Sequence, residues 1–242
     1  MAQWNFKVVL AGDGAVGKTS IREQYMGKGF TGNYLKTIGA DFASKKVNMS
    51  DNNITFQVWD LAGQESYQAV RSSFYKGTVG GLFVYDCQDP ATLTNLKSWI
   101  DEAKNNSDSG ILVYFIIANK VDLEESRRVS RDMGIEFCRR LEAETGIQFY
   151  HCETSAKTGI NIGETFDLMA IKLLEKNNVK DLPKFKAPDG INDVRLASSS
   201  AKTASGISEK DFNELKKRIE VLEDKINSIQ NILKKIVQKV QE

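Results

Sequence analysis

Residues 12 to 19 read Gly-Asp-Gly-Ala-Val-Gly-Lys-Thr and follow directly on the apolar run Phe6-Lys7-Val8-Val9-Leu10. This pattern, GxxxxGK[ST] behind a strand, demands one local structure: strand, tight loop, helix. Gly12 and Gly17 allow backbone conformations that a Cβ would obstruct. Successive N–H groups then face inward around a polyphosphate, at the positive end of the following helix. Lys18 can reach the terminal phosphates, and the Thr19 hydroxyl can ligate Mg²⁺. An ordinary glycine-rich turn is the competing reading of the motif alone.

Three further segments weaken that alternative. Asp60-Leu61-Ala62-Gly63-Gln64-Glu65 follows the run from Ile54 to Trp59. A carboxylate at such a strand end can hold the metal through water, and the Gly63 N–H can meet a γ-phosphate. Asn119-Lys120-Val121-Asp122 closes a third run, from Ile111 to Ala118. The Asp122 carboxylate suits the paired N1–H and amine donors of guanine and would repel the bare N1 of adenine, which argues for GTP over ATP. Glu153-Thr154-Ser155-Ala156-Lys157 follows Gln148 to Cys152, and there the Ala156 N–H can donate to guanine O6. All four strings sit at the carboxyl ends of predicted strands, where open α/β sheets bind ligands.

The order of elements predicts an α/β fold, with a six-stranded, mostly parallel sheet covered by helices on both faces. Strands are expected near 5–11, 41–49, 54–60, 80–86, 111–118 and 148–153, and helices near 18–26, 67–76, 92–106, 131–145 and 163–177. Asp51-Asn52-Asn53 reads as a turn that makes the second and third strands an antiparallel hairpin. Ser130 is expected to cap the helix starting at Arg131, and Gly146 to end it. The runs Gly81–Tyr85 and Ile111–Ile117 are apolar without alternation and read as central strands buried on both faces.

The sequence over about residues 5–176 resembles the Ras superfamily of small GTPases, most closely its Rab branch. Ile38-Gly39-Ala40-Asp41-Phe42, Val58–Glu65 and Phe74-Tyr75-Lys76-Gly77 look like Rab-type switch segments. Ala40, Leu61 and Ala15 depart from the residues commonest there. The resemblance implies a P-loop GTPase fold and a switch that hydrolyses GTP to GDP, in membrane traffic or signalling. The alternative is a GTP-bound scaffold with little turnover. It implies that Gly12, Asp13, Gly14, Ala15, Val16, Gly17, Lys18, Thr19 and Ser20 cradle the phosphates. Phe30 would pack against guanine (a plain core residue is the alternative), and Gly63, Asn119, Lys120, Asp122, Ser155, Ala156 and Lys157 would complete the nucleotide site. Thr19, Thr37 and Asp60 would serve Mg²⁺. Gln64 would orient the attacking water, with Lys18 and Thr37 assisting, while Gly14 leaves room beside the γ-phosphate. No arginine neighbours Thr37, whose neighbour is Lys36, so slow intrinsic hydrolysis and an activating protein are expected, alongside an exchange factor and GTP-dependent effectors. Arg71 is the only nearby internal candidate for such an arginine, and contact with partners is the role expected of it.

With 242 residues, 41% hydrophobic and 27% charged, the chain can bury a full core and carry a further module. A net charge of +1 gives no argument for nucleic acid. Met1-Ala2-Gln3-Trp4-Asn5 lacks signal-peptide character, and Ala2 does not suit myristoylation. Cys87, Cys138 and Cys152 read as buried thiols of a cytoplasmic protein. Composition divides the chain into a GTPase-like domain over 1–177, a flexible Pro- and Ser-containing linker over 178–207, and a helix over 208–242. In that helix Phe212, Ile219, Ile226, Leu233 and Val240 fall at a positions, and Leu215, Leu222, Ile229 and Ile236 at d. The 3.5-residue period favours a parallel homo-oligomeric coiled coil. A membrane-surface helix and docking on this domain or a partner's helices are the alternatives. The last cysteine is Cys152, so no prenylation is expected, and any membrane contact is expected through the terminal helix or a partner.

Overall fold

The computed structural model describes residues 1–30, 37–108 and 110–194. The Ser-rich stretch and the heptads of 208–242 lie outside the described residues.

Among the described residues seven strands, not six, form one mixed sheet in the order β2-β3-β1-β4-β5-β6-β7. These are β1 (Ala2–Ala11), β2 (Ala40–Met49), β3 (Asn52–Leu61), β4 (Gly80–Asp86), β5 (Val113–Asn119), β6 (Phe149–Glu153) and β7 (Ile191–Asp193). The β2–β3 and β6–β7 pairs are antiparallel and the other neighbours parallel. The hairpin turns at Ser50-Asp51, earlier than expected, with Ser50 at φ 51°. Asn52 is already in β3, where its Oδ1 accepts from Trp4 Nε1 at 2.8 Å.

The uninterrupted apolar runs divide their side chains between two cores, as alternating strand residues must. Val8, Leu82, Val84, Phe115 and Ile117 enter one core with Ile21 and Tyr25 of α1 (Lys18–Tyr25) and Phe166, Met169 and Leu173 of α6 (Ile162–Lys176). Val9, Phe83, Tyr85, Tyr114 and Ile116 enter the other with Leu96, Trp99 and Ile100 of α4 (Leu96–Asn106) and Ile135, Cys138 and Leu141 of α5 (Arg131–Thr145). Ser130 caps α5 by accepting from Met133 N at 3.2 Å, and Gly146 ends it at φ 69°. The three cysteines are free and buried, and burial lifts the Cys152 thiol to about 12.

Two helices depart from expectation. The stretch 67–76 holds only one α-turn, α2 (Gln68–Arg71), between the 3₁₀ turns Glu65–Tyr67 and Ser72–Tyr75. Among its described side chains only Arg71 and Tyr75 are buried, so little tertiary packing offsets the cost of starting a helix. The helix expected over 92–106 begins earlier, as α3 (Pro90–Thr94). Asp89 caps it with Pro90 in the first turn, and the helix pauses at Asn95 before α4.

The stretch from 178, expected to open a flexible linker, instead lies on the domain as far as Val194. Val179, Leu182 and Phe185 pack on the α1/α6 core, and β7 pairs with β6. Ile191 and Val194 are 5% and 1% exposed. The few apolar residues among the polar ones are what hold this segment. No helix of the described residues is long and apolar enough to cross a membrane.

Candidate nucleotide-binding site

The four motifs converge at one end of the sheet because the parallel strands β1, β3, β5 and β6 all end there. Gly12 has φ 139°, and a Cβ on it would lie 2.2 Å from the Val84 carbonyl oxygen. Gly17, at φ 99°, begins α1, and its Cβ would strike Asn119 Nδ2 at 2.3 Å. Substitution at either position forces the loop apart. Ala15 adopts φ 64° although it carries a Cβ, which costs about 1 kcal/mol of backbone strain in the left-handed region. A Cβ at Gly14 would meet nothing within 4 Å, so that face of the loop is open. Gly63 lies so close to the loop that its Cβ would fall 2.5 Å from Gly14 N.

Lys18 is 6% exposed and donates to the Gly12 and Asp13 carbonyls, each at 2.7 Å. Burial lowers its ammonium to about 8, against the opposing fields of Asp60 and Asp13. A polyphosphate beside it would favour the charged form again.

Thr19, Thr37 and Asp60 meet beside the phosphate loop. Thr19 Oγ1 donates to Asp60 Oδ2 at 2.5 Å, lies 3.0 Å from Thr37 Oγ1, and Thr37 Oγ1 is 3.4 Å from the same carboxylate oxygen. Asp60 is fully buried, and its Oδ1 has no hydrogen-bond partner among the described residues. Burial raises its pKa, opposed by the Thr19 hydrogen bond and by Lys18. An orphaned carboxylate oxygen amid two hydroxyls is a hard oxygen donor set, which fits Mg²⁺ shared with phosphates.

Beside this cluster, Gly17, Ser20, Phe30, Asn119, Lys120, Asp122, Leu123, Ala156 and Lys157 line a single pocket. Asn119 ties its walls together: Nδ2 donates to Val16 O at 2.8 Å, and Oδ1 accepts from Ala156 N at 3.1 Å. Ser155 Oγ donates to Asp122 Oδ1 at 2.5 Å and fixes that carboxylate. Lys120, at φ 68°, pairs with Asp86 Oδ2 at 2.6 Å. Phe30 is 48% exposed, which rules out the plain core alternative.

One role differs from the expectation. Arg71 is 3% exposed and faces inward. It forms a fork with Glu102 at 2.7 and 2.8 Å and donates to the Ala62 and Gln64 carbonyls at 2.9 and 2.8 Å. Its guanidinium also lies 4.2 Å from the Trp99 ring centroid. Arg71 is thus a buried clamp on the Gln64 backbone, with four of its five N–H donors engaged inside the domain. The Asp13 side chain turns away from the phosphate cradle, accepting from Trp99 Nε1 at 2.7 Å and Asn95 Nδ2 at 2.8 Å. Trp99 therefore joins the phosphate loop to the Arg71 clamp. No motif signals this link, because its members are scattered along the chain.

The Ras family model matches residues 7–175. The chain is 37% identical over 202 residues to the Ypt/Rab-type GTPase ypt7 of Schizosaccharomyces pombe, covering 82% of this chain and 94% of that one. It is 40% identical over 172 residues to the Ras-related protein Rab7 of Drosophila melanogaster, covering 70% and 80%. Against the Ras-related protein Rab-13 of Canis lupus familiaris it is 36% identical over 172 residues, covering 71% and 81%. With the loop, the oxygen cluster and the pocket in one place, this chain belongs to the Ras family, as a Rab/Ypt-like small GTPase that binds GTP and hydrolyses it.

Proposed function

We propose that the pocket between Phe30 and Lys157 takes guanine, that residues 12–20 cradle the phosphates, and that Gln64 directs the hydrolytic water. The observation that carries the base assignment is the Ser155–Asp122 hydrogen bond, which holds a carboxylate in the pocket where two adjacent donors identify guanine. The Ala156 N–H, which donates to Asn119 Oδ1 at 3.1 Å, lies beside that carboxylate and would turn to O6 when the base enters. On the phosphate side Lys18 neutralises charge on the β- and γ-phosphates, and the helix start adds backbone donors. Mg²⁺, held by Thr19 and Thr37 with Asp60 behind them, would supply charge neutralisation across the same phosphates. Gln64 accepts a hydrogen bond from the attacking water through its amide oxygen and aligns the water with the γ-phosphorus. Gly14 leaves that side of the loop free of bulk.

The second threonine and Gly63 both touch the γ-phosphate end, so loss of that group on hydrolysis loosens the segments that carry them. Ile38, Phe42 and Val70, exposed on those segments at 79%, 53% and 53%, are the surface that changes. The scaffold alternative has nothing in its favour, since Gln64, Thr37 and Gly14 are all intact. Arg71 is occupied in its clamp, which supports an arginine supplied in trans by an activating protein. An exchange factor and GTP-dependent effectors complete the cycle, and the Rab likeness favours membrane traffic. The heptads of 208–242 support a homo-oligomer through that segment, with membrane contact through it or through a partner.

The nucleotide that copurifies with the protein tests the base assignment. Extraction and ion-exchange analysis should give guanine nucleotide near one per chain, and added GTP should be converted to GDP on the protein. Recovery of adenine nucleotide at that stoichiometry would overturn the reading.

A further inference from the structure

The loop that follows β6 is pinned from outside the nucleotide site. Glu153 N donates to Gly190 O at 2.9 Å, just where β7 begins. Asn161 Nδ2 donates to both the Glu153 and the Asp189 carbonyls, each at 2.9 Å, so one side chain ties both ends of the loop to residues 189–190. Arg131 adds a charged brace, with Nε on Glu153 Oε2 at 2.5 Å and the two terminal nitrogens on the Asp189 carboxylate at 2.6 and 3.0 Å. The antiparallel ladder continues through Cys152–Ile191, His151–Asn192 and Tyr150–Asp193. Inside the loop, Ser155 N donates to Ile160 O at 3.2 Å and Gly159 N to Ser155 O at 2.8 Å, which closes it into a small ring. Ser155 and Ala156, which set Asp122 and face Asn119, are members of that ring.

From this arrangement we propose that residues 189–193 act as a positioning strap for the guanine-reading loop, so that the lifetime of bound nucleotide depends on β7 being paired. The proposal rests on the reading of that loop as the base site. Without the strap, the Glu153 N–H and one Asn161 amide hydrogen lose their partners, and β6 becomes an unprotected sheet edge. The loop then samples open conformations more often, and nucleotide escapes in proportion to the open population. The phosphate cradle, built from β1 and α1, has no contact with the strap among the hydrogen bonds above. The effect therefore falls on release and not on the chemical step.

Gly190 and Asp189 are the places to test it. Gly190 sits at φ 89°, and a Cβ there would lie 2.8 Å from Asn161 Nδ2 and 3.2 Å from Glu153 Cβ. Gly190→Val therefore drives the strap off the loop. Asp189 is 88% exposed at the side chain, so Asp189→Ala removes only the brace and leaves the core intact. Full-length protein loaded with a fluorescent GDP is chased with excess GDP, with and without a chelator of Mg²⁺. Gly190→Val should speed release about tenfold or more, in both conditions alike, as expected when the open loop becomes a populated state. Asp189→Ala should speed it about threefold, the scale of an exposed ion pair, and Asp189→Glu should return it close to wild type. Single-turnover hydrolysis of bound GTP should stay at the wild-type rate in all three. Wild-type release from folded Asp189→Ala and Gly190→Val overturns the strap, and so does faster release accompanied by equally impaired hydrolysis. Should Gly190→Val fail to fold, the Asp189 pair of variants decides. Asp122→Asn runs alongside: if it too leaves GDP release unchanged, the base assignment has failed and not the strap.

Discussion

Replacing Asp122 by Asn is expected to turn a protein specific for GTP into one that prefers xanthosine triphosphate. The carboxylate meets the N1–H and the exocyclic amine of guanine together, two hydrogen bonds to a charged acceptor in a walled pocket. Bonds of that kind are each worth about 1.5–3 kcal/mol, so GTP affinity should fall by roughly 10²–10⁴-fold. Xanthine carries a carbonyl where guanine carries the amine, and an amide donates to it where a carboxylate repels. The substitution keeps the fold, because the side-chain oxygen of Asn can still accept from Ser155 Oγ, now 2.5 Å from Asp122 Oδ1. Competition of GTP and xanthosine triphosphate for the same preparation reads the switch. Unaltered preference for GTP removes Asp122 from the base site.

Lys18→Ala is the second large effect. Among the described residues this ammonium is the one buried cation held directly by phosphate-loop carbonyls, and Asp60 and Asp13 are the counter-charges that act on it. Its loss deletes charge-assisted contacts to two phosphates, about 3 kcal/mol in all, or roughly 10²-fold in affinity for GTP and GDP alike. Because burial lowers the lysine from 10.5 to about 8, its charge opposes folding fully below about pH 8 and progressively less as pH rises towards 10.5, so the protein without nucleotide should lose no stability through removal of the charge alone. Titration of each variant with fluorescent GDP and GTP measures the difference. Wild-type affinity would mean that the cradle lies elsewhere.

The chemistry of the site was legible because each motif is a residue type at a strand end, and strands with uninterrupted apolar runs are hard to misread. Val8 to Ala11, Leu82 to Tyr85 and Tyr114 to Ala118 are buried on both faces as those runs require. What escaped the sequence depends on partners far along the chain. Arg71 reads as an exposed switch residue, and only Glu102 and Trp99, packed from α4, make it a buried clamp. Asp13 lies within the phosphate-loop motif, yet its side chain serves Asn95 and Trp99, 82 and 86 residues away. β7 is three residues long, and two of them, Asn192 and Asp193, are polar, so no alternation marks it. Its existence is owed to the free edge of β6 and to Ile191 finding the core. The short α2 reflects the same limit, since periodicity over 67–76 does not reveal how few of those side chains are covered.

The account stands on Gln64 directing water at a γ-phosphate held by this loop. Phosphate release in a single turnover, from wild type and Gln64→Leu loaded to equal occupancy with Mg²⁺-GTP, tests that directly. Wild type should release one phosphate per site, slowly in the absence of an activating protein. The variant should bind GTP as tightly yet hydrolyse it at least about tenfold more slowly, the mark of an interaction made only in the transition state. Equal rates in the two proteins, or bound GTP that stays intact in both, would contradict it.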